Sequence, residues 1–394
     1  MPGIPFEFYL FGLTLAGVAI FHRAALWISL GGLAAVLAYK LAGSDGLPGL
    51  VTHFSHEWVL LVNLFLLLLG FAVLANQFEL SNAPEVMPGL LPRNWTGGLC
   101  LLALIFLLST FLDNIAGAVV GGVVARHAYR GKVGIGFLAA IVAAANAGGA
   151  GSVIGDTTTT MIWIAGISPL VVAPAFIGAG AAFAVFGVAA AWQQHRYAPI
   201  QPHEGQALPI HWARLGIVIA MLLALLGTNI GVSGFAPQLE HAIPALGLGL
   251  WAVILLTAMV RKPDWSVLPP AATGAVFLIA LVAAASLMPV GSLPEPSWQS
   301  TFGIGIIAAV FDNIPLTALA LEQGGYDWAL LAYAVGVGGS CLWFGSSAGV
   351  ALTNLFPEGR SAVRWVADGW HVPVAYVLGF FVLLAVCGWT TARV

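Results

Sequence analysis

Long apolar runs, each near the length a helix needs to cross a bilayer, dominate the chain and predict helices rather than strands. Spans are expected near residues 5–22, 24–42 and 54–76. An apolar segment at 98–126 is interrupted by Asp113-Asn114, and a longer one at 133–167 is interrupted between Asn146 and Asp156. A span at 169–191 follows, then the longest polar stretch, His195 to Arg214. The second half predicts spans near 214–233, 244–260 and 266–288, interrupted segments at 300–324 and 328–356, and a last span at 371–391. Barrel strands would alternate apolar and polar residues over about ten positions, and these runs do not alternate. The fold expected is an all-α polytopic membrane protein.

The interruptions recur. Thr110-Phe-Leu-Asp113-Asn114-Ile-Ala in the first half matches Val310-Phe-Asp312-Asn313-Ile-Pro-Leu in the second. Gly148-Gly149 followed by Gly155-Asp156-Thr157 matches Gly338-Gly339 followed by Gly345-Ser346-Ser347, with the same internal spacing. Each half therefore predicts a helical hairpin with Asp-Asn at its tip, then a broken helix. The expected organisation is 1–53 as N-terminal scaffold helices and 54–191 as a first repeat with hairpin 98–126 and broken helix 133–167. A cytoplasmic loop follows at 192–213, with scaffold helices at 214–265. A second repeat occupies 266–394, with hairpin 300–324 and broken helix 328–356. If both hairpins are re-entrant, an odd number of crossings separates equivalent points, and the repeats are inverted, as in secondary transporters.

Charge supports this topology. With the N-terminus outside and re-entrant hairpins, Arg23, Arg93, Arg126, Arg130, Lys132, Arg196, Arg214, Arg261, Lys262, Arg360 and Arg364 fall inside, and Lys40 and Arg393 outside. That is the distribution the positive-inside rule predicts. Of 394 residues, 60% are hydrophobic and only 7% charged, and the mean hydropathy is +0.97. Soluble domains carry roughly 25% charged residues. The composition excludes a soluble enzyme, a nucleic-acid binder and a disordered chain. Cys100, Cys341 and Cys387 lie in apolar segments with no disulfide or metal spacing. No signal peptide is evident at the start of the chain, and no phosphate-binding Gly-x-x-x-x-Gly-Lys-Ser/Thr loop points to ATP-driven pumping.

The deep polar residues carry the candidate chemistry. Irregular backbone at membrane depth is tolerated where it is buried in protein or lines a cavity. Gly148, Gly149, Gly151 and Gly155 are expected to unwind the helix through positive φ and free carbonyl oxygens. Ser152, Thr157 and Thr158 add hydroxyls, as do Ser340, Ser346 and Ser347 in the second half, with Thr317 a weaker candidate. Hard cations take such oxygen ligands. Asp113, Asp156 and Asp312 lie in predicted membrane interior with no Lys or Arg at comparable depth, and intramembrane carboxylates usually mark ion or proton sites. Asp156 could equally cap the half-helix that follows it. Asn114, Asn146 and Asn313 can bridge hairpin tip and ion or simply close the hairpins. His195, His203 and His211, with Glu204, share the cytoplasmic loop as a pH sensor or an ordinary solvated segment. His241 and His371 are expected near the membrane surfaces, and Trp58, Trp95, Trp265, Trp298 and Trp328 as interfacial anchors.

In these motifs the chain resembles the ion transporter superfamily, and most of all its NhaD-type sodium/proton antiporters. The likeness lies in Leu112-Asp-Asn-Ile, in Asn146 through Trp163, in Phe311 through Thr317 and in Gly338 through Val350. It implies that the Asp-Asn pairs, the Asp-Thr run and the Gly-Ser-Ser segment line the transport site. It also implies a homodimer in the bacterial cytoplasmic (inner) membrane. One departure is that Ile-Ala-Gly follows the first Asp-Asn, where the second repeat keeps Ile-Pro. The expected function is exchange of Na⁺ or Li⁺ for H⁺ through competition for Asp113, Asp156 and Asp312, with no cofactor. The alternative within the superfamily is Na⁺-coupled uptake of a di- or tricarboxylate or another anion, which three carboxylates without a deep cation disfavour. The remaining partner is the lipid bilayer; no nucleic acid is expected.

Overall fold

The computed structural model describes residues 5–21, 24–43, 46–83, 89, 91–111, 113–153, 155–201, 209–235, 239, 242–289 and 295–391. Arg23, Leu112, His203, Glu204, His241 and Arg393 lie outside the described residues. Among those described, every regular element is a helix. Five helical stretches, Ala25–Ala42, Gly46–Glu79, Pro169–Tyr197, Trp212–Val232 and Trp265–Ser286, are long and apolar enough to cross a membrane. With its composition, the chain is an integral membrane protein.

The helices divide between two compact units. The first comprises Met1–Val73, Ala220–Glu295 and Ile314–Gln323. Its N-terminal pair, α1 (Phe6–Ile20) and α2 (Ala25–Ala42), pack as a hairpin. Glycines permit the close approach, because a Cβ at Gly32 would collide with the Thr14 side chain. A Glu7–Lys40 ion pair of 3.4 Å ties their far ends. The long α3 (Gly46–Glu79) begins before the apolar run that predicted it. Its polar first turns stay helical because side chains bond back to the helix: Thr52 Oγ1 donates to the Pro48 carbonyl at 3.0 Å and Ser55 Oγ to that of Thr52 at 2.7 Å. Helices α11 (Ala245–Ala258) and α12 (Leu268–Ser286) lie in this unit, as does α10 (Trp212–Phe235) from Ala220 onward. Asn63 Oδ1 accepts the Gly247 N–H at 2.7 Å, and Trp251 Nε1 donates to the Leu66 carbonyl at 2.8 Å, so polar groups pin α11 to α3.

The second unit comprises Leu74–Ile219, Pro296–Asn313 and Gly324–Val394. It contains α4 (Trp95–Ser109), α5 (Asn114–Ala128), α6 (Ile135–Gly149), α7 (Thr157–Ile164), α8 (Pro169–Val172) and α9 (Ala175–Tyr197). Next come α13 (Trp298–Ala308), α14 (Asn313–Gln323), of which only Asn313 belongs to this unit, α15 (Trp328–Gly338) and α16 (Ser347–Leu355). The short α17 (Ala362–Asp368) is bent by 64° from α18 (His371–Cys387). Every residue of α6 and of α15 is buried, so the two helices that precede the breaks form the core. Trp328, expected at an interface, is only 1% exposed. It opens α15, whose whole length is enclosed, and that enclosure overrides the preference of Trp for the membrane surface. His371 is likewise fully buried rather than interfacial, because it starts α18 inside the packed unit.

The glycines of the breaks serve close packing. None of Gly148, Gly149, Gly151 and Gly155 has positive φ, contrary to expectation. A Cβ at Gly148 would collide with the Phe106 carbonyl oxygen, one at Gly149 would lie 2.7 Å from that of Gly155, and one at Gly155 would strike that of Ser109. The second half repeats this: Gly338 meets the Gly305 carbonyl oxygen, Gly339 that of Gly345 at 2.8 Å, and Gly345 that of Ala309. At Gly148, Gly155, Gly338 and Gly345 the backbone at or just past the end of α4 or α13 comes so close that only glycine leaves room.

Candidate functional site

Each half-helix begins on a side chain that closes its free N–H groups. Asp113 caps α5, its Oδ1 accepting from Ile115 N at 2.8 Å. Asp156 caps α7, its Oδ1 accepting from Thr158 N at 3.2 Å. Ser346 caps α16 through Gly349 N at 3.3 Å. The residue after the caps of α7 and α16 then reaches a further Asp: Thr157 Oγ1 donates to Asp113 Oδ2 at 3.0 Å, and Ser347 Oγ to Asp312 Oδ2 at 2.7 Å. The segments around 113 and 157, and those around 312 and 347, are thus joined by the same kind of hydroxyl-to-carboxylate bond.

The amides join the halves to each other. Asn114 Nδ2 donates to Asn146 Oδ1 at 2.9 Å and to Asp156 Oδ1 at 3.3 Å, and Asn146 Nδ2 donates to Ser340 Oγ at 2.9 Å. Asn114, Asn146, Asp156 and Ser340 are all buried. Of the residues predicted to line the site, Asp113 and Thr157, Asp312 and Ser347, and Asn114, Asn146, Asp156 and Ser340 fall into these three bonded groups. Ser346 and Thr158 are adjacent to them in the chain, and Asn313 is buried beside Asp312. Ser152 turns to the backbone instead, donating to the Thr110 carbonyl at 2.6 Å. Thr317, also buried, belongs to the other unit, one turn beyond Asn313.

Three of the linker carbonyls, those of Gly149, Ser152 and Val153, are occupied rather than free. Thr159 Oγ1 donates to the Ser152 carbonyl at 2.6 Å and Thr160 Oγ1 to that of Val153 at 2.8 Å. The Gly149 carbonyl accepts from Ser152 N at 2.9 Å. Thr159 and Thr160 were passed over as candidates, although they continue the Thr run; their role is to hold the unwound segment in one shape.

Asp156 has the most unusual environment. It is 1% exposed, and its Oδ2 meets no donor in hydrogen-bonding geometry among the described residues, although the Thr158 hydroxyl is close enough to act on the carboxylate. The charges of both Asp113 and Asp312 act on it. Among the described residues, no Lys or Arg forms an ion pair with Asp113 or Asp156. The free oxygen faces α15 at Gly336, where a Cβ would stand 3.9 Å away. Among the described residues no three His, Cys, Asp or Glu converge into a metal cage. The carboxylates sit among hydroxyls and amides.

The polar loop contributes no partner to this cluster within its described part. His195 is half-buried at the end of α9, which extends to Tyr197, and His211 is exposed before α10.

No protein-family model matches the chain. It is 29% identical over 296 residues to sodium/proton antiporter 1 of Arabidopsis thaliana, covering 64% of this chain and 49% of that protein. It is 27% identical over 265 residues to the Na⁺/H⁺ antiporter NhaD of Vibrio parahaemolyticus, covering 54% of this chain and 61% of that protein. A shorter match, 36% identical over 93 residues, relates it to NhaD of Alkalimonas amylolytica, over 23% of this chain and 18% of that protein. The chain spans about half the length of the first of these relatives. The resemblance read from the four motifs is therefore found in whole-sequence comparison: the chain is similar, at modest identity over much of its length, to sodium/proton antiporters, NhaD-type ones among them.

Proposed function

We propose that the chain is a secondary active transporter, not an enzyme, that exchanges Na⁺ or Li⁺ for H⁺ across a bacterial cytoplasmic membrane without a cofactor. The observation that carries this proposal is the unpartnered Oδ2 of Asp156, buried beside the charge of two further carboxylates. An ionised carboxylate cannot remain buried and unpaired at acceptable cost. It must take up a proton or hold a cation, and a group that alternates between the two exchanges them. The Na⁺ site proposed here draws on Asp113, Asp156 and Asp312, with hydroxyl and amide oxygens as neutral ligands. The similarity to sodium/proton antiporters supports the same exchange.

The architecture we propose for it is a pair of inverted repeats, with re-entrant hairpins whose Asp-Asn tips meet near the midplane and with the N-terminus outside. Support comes from the glycine contacts and hydroxyl–carboxylate bonds that recur at matching positions, and from the sidedness of the basic residues. The assembly proposed is a homodimer.

Everted vesicles carrying a transmembrane pH gradient test the exchange. NaCl or LiCl should dequench a pH-sensitive dye, and KCl or citrate should not. A response to citrate alone would replace cation antiport with anion transport.

A further inference from the structure

The helix α17 lies mostly on the surface: Val363 is 80% exposed, Val366 and Arg364 are exposed, and only Trp365 is buried, at 1% exposure. A single aromatic anchor would be enough to pin so short a helix. Trp365 does more. Its indole Nε1–H donates to the carbonyl of Ser340 at 3.1 Å, within the short 3-10 turn Gly339–Cys341 that follows α15. The hydroxyl of the same Ser340 accepts from Asn146 Nδ2 at 2.9 Å, and Asn146 Oδ1 accepts from Asn114, which donates at 3.3 Å to Asp156. A buried chain of hydrogen bonds therefore runs from a surface helix to the carboxylate with the unpartnered oxygen.

Resting on the antiport proposal, we infer that Trp365 is a positioning residue for the cation site, acting through Ser340. Ser340 is the middle residue of the single 3-10 turn Gly339–Cys341, where the α-helical ladder of α15 has ended, and its carbonyl is held by the indole. Fastening its carbonyl fixes the backbone and thereby aims its hydroxyl at Asn146. Asn146 is buried with both ends of its amide engaged, so this bond also decides which end of the amide Asn114 meets. Trp365 touches neither ion nor proton; it holds the group that holds the amide beside Asp156.

The test compares wild type, Trp365→Phe, Ser340→Ala and the double variant in proteoliposomes, reading half-maximal Na⁺ concentration and maximal rate separately. Loss of one net hydrogen bond corresponds to about 2- to 12-fold in affinity. Trp365→Phe should raise the half-maximal Na⁺ concentration within that range and change the maximal rate little. It should add nothing on the Ser340→Ala background, because the hydroxyl it orients is already gone. An unchanged Na⁺ dependence in Trp365→Phe, or effects that multiply in the double variant, would overturn the inference. Should Trp365→Phe fail to fold, benzothienylalanine at position 365 keeps the ring shape and replaces the N–H by sulfur, with the same expected shift. If wild type shows no Na⁺-dependent proton flux, antiport itself has failed. The wiring is then read from melting temperatures of Trp365→Phe, Asn146→Ala and their combination. Losses smaller than additive support it, although these two residues do not touch, and additive losses overturn it.

Discussion

At the cap and the residue after it, the two half-sites differ by one functional group, a carboxylate at 156 against a hydroxyl at 346. In the first, Asp156 caps α7 and Thr157 bonds Asp113; in the second, Ser346 caps α16 and Ser347 bonds Asp312. The glycine contacts that shape the linkers match as well. Capping alone requires only an oxygen at the N-cap position, and Ser serves there about as well as Asp. The carboxylate at 156 is therefore not demanded by the fold. Its second oxygen, buried and unbonded, is the surplus that the serine half lacks, and it makes the first half the acidic side of an asymmetric site.

The largest expected effects come from removing charge. Asp113→Asn and Asp312→Asn should each abolish exchange while the protein still inserts and folds, since neutralisation lowers the cost of a buried carboxylate. Normal Na⁺-driven proton flux in either variant would remove that Asp from the coupling site. Asp156→Ser makes the first half a copy of the second. It should keep the cap, and so most of the melting temperature, yet lose exchange; a collapse of stability with transport intact would reduce Asp156 to a cap.

Next in size are the hydroxyls. Thr157→Ala and Ser347→Ala each leave one carboxylate oxygen without its donor. A lost buried contact costs about 1–3 kcal/mol, roughly 5- to 150-fold in apparent affinity. Half-maximal Na⁺ should rise in both variants more than the maximal rate falls, and more in Thr157→Ala, whose carboxylate neighbours Asp156. Ser346→Ala separates capping from ligation: a lower melting temperature with unchanged Na⁺ dependence would assign Ser346 to the cap only. The smallest effect is expected at Gly336→Ala. Its methyl would stand 3.9 Å from Asp156 Oδ2, in ordinary contact, and should narrow access to that oxygen without breaking the fold. A selective loss of Na⁺ response relative to the smaller Li⁺ is the signature to measure.

Much of this site could be read along the chain because it rests on local chemistry. Asp followed by Asn after an apolar run, and Gly-Gly followed by a polar N-cap, are sequence-local signals, and they identified residues of all three bonded groups. What could not be read depends on contacts between distant segments. The glycines were assigned to backbone freedom, whereas they make room for the carbonyls of Phe106, Ser109, Gly305 and Ala309. Thr159 and Thr160 looked like the continuation of a helix, and only the folded linker shows them tied to Ser152 and Val153. Helix α17 is too short to give a periodic signal, so Trp365 passed unremarked, and the full enclosure of Trp328 and His371 reflects packing that no run of neighbours encodes.

The central claim is that proton and cation compete for the same buried carboxylates. It is tested most directly by measuring the half-maximal Na⁺ concentration for exchange at a series of pH values in proteoliposomes of the wild-type protein. Competition predicts that this concentration rises as pH falls, approaching about tenfold per pH unit for each proton displaced in the acid range. A half-maximal Na⁺ concentration that stays constant with pH, while only the maximal rate changes, would contradict it.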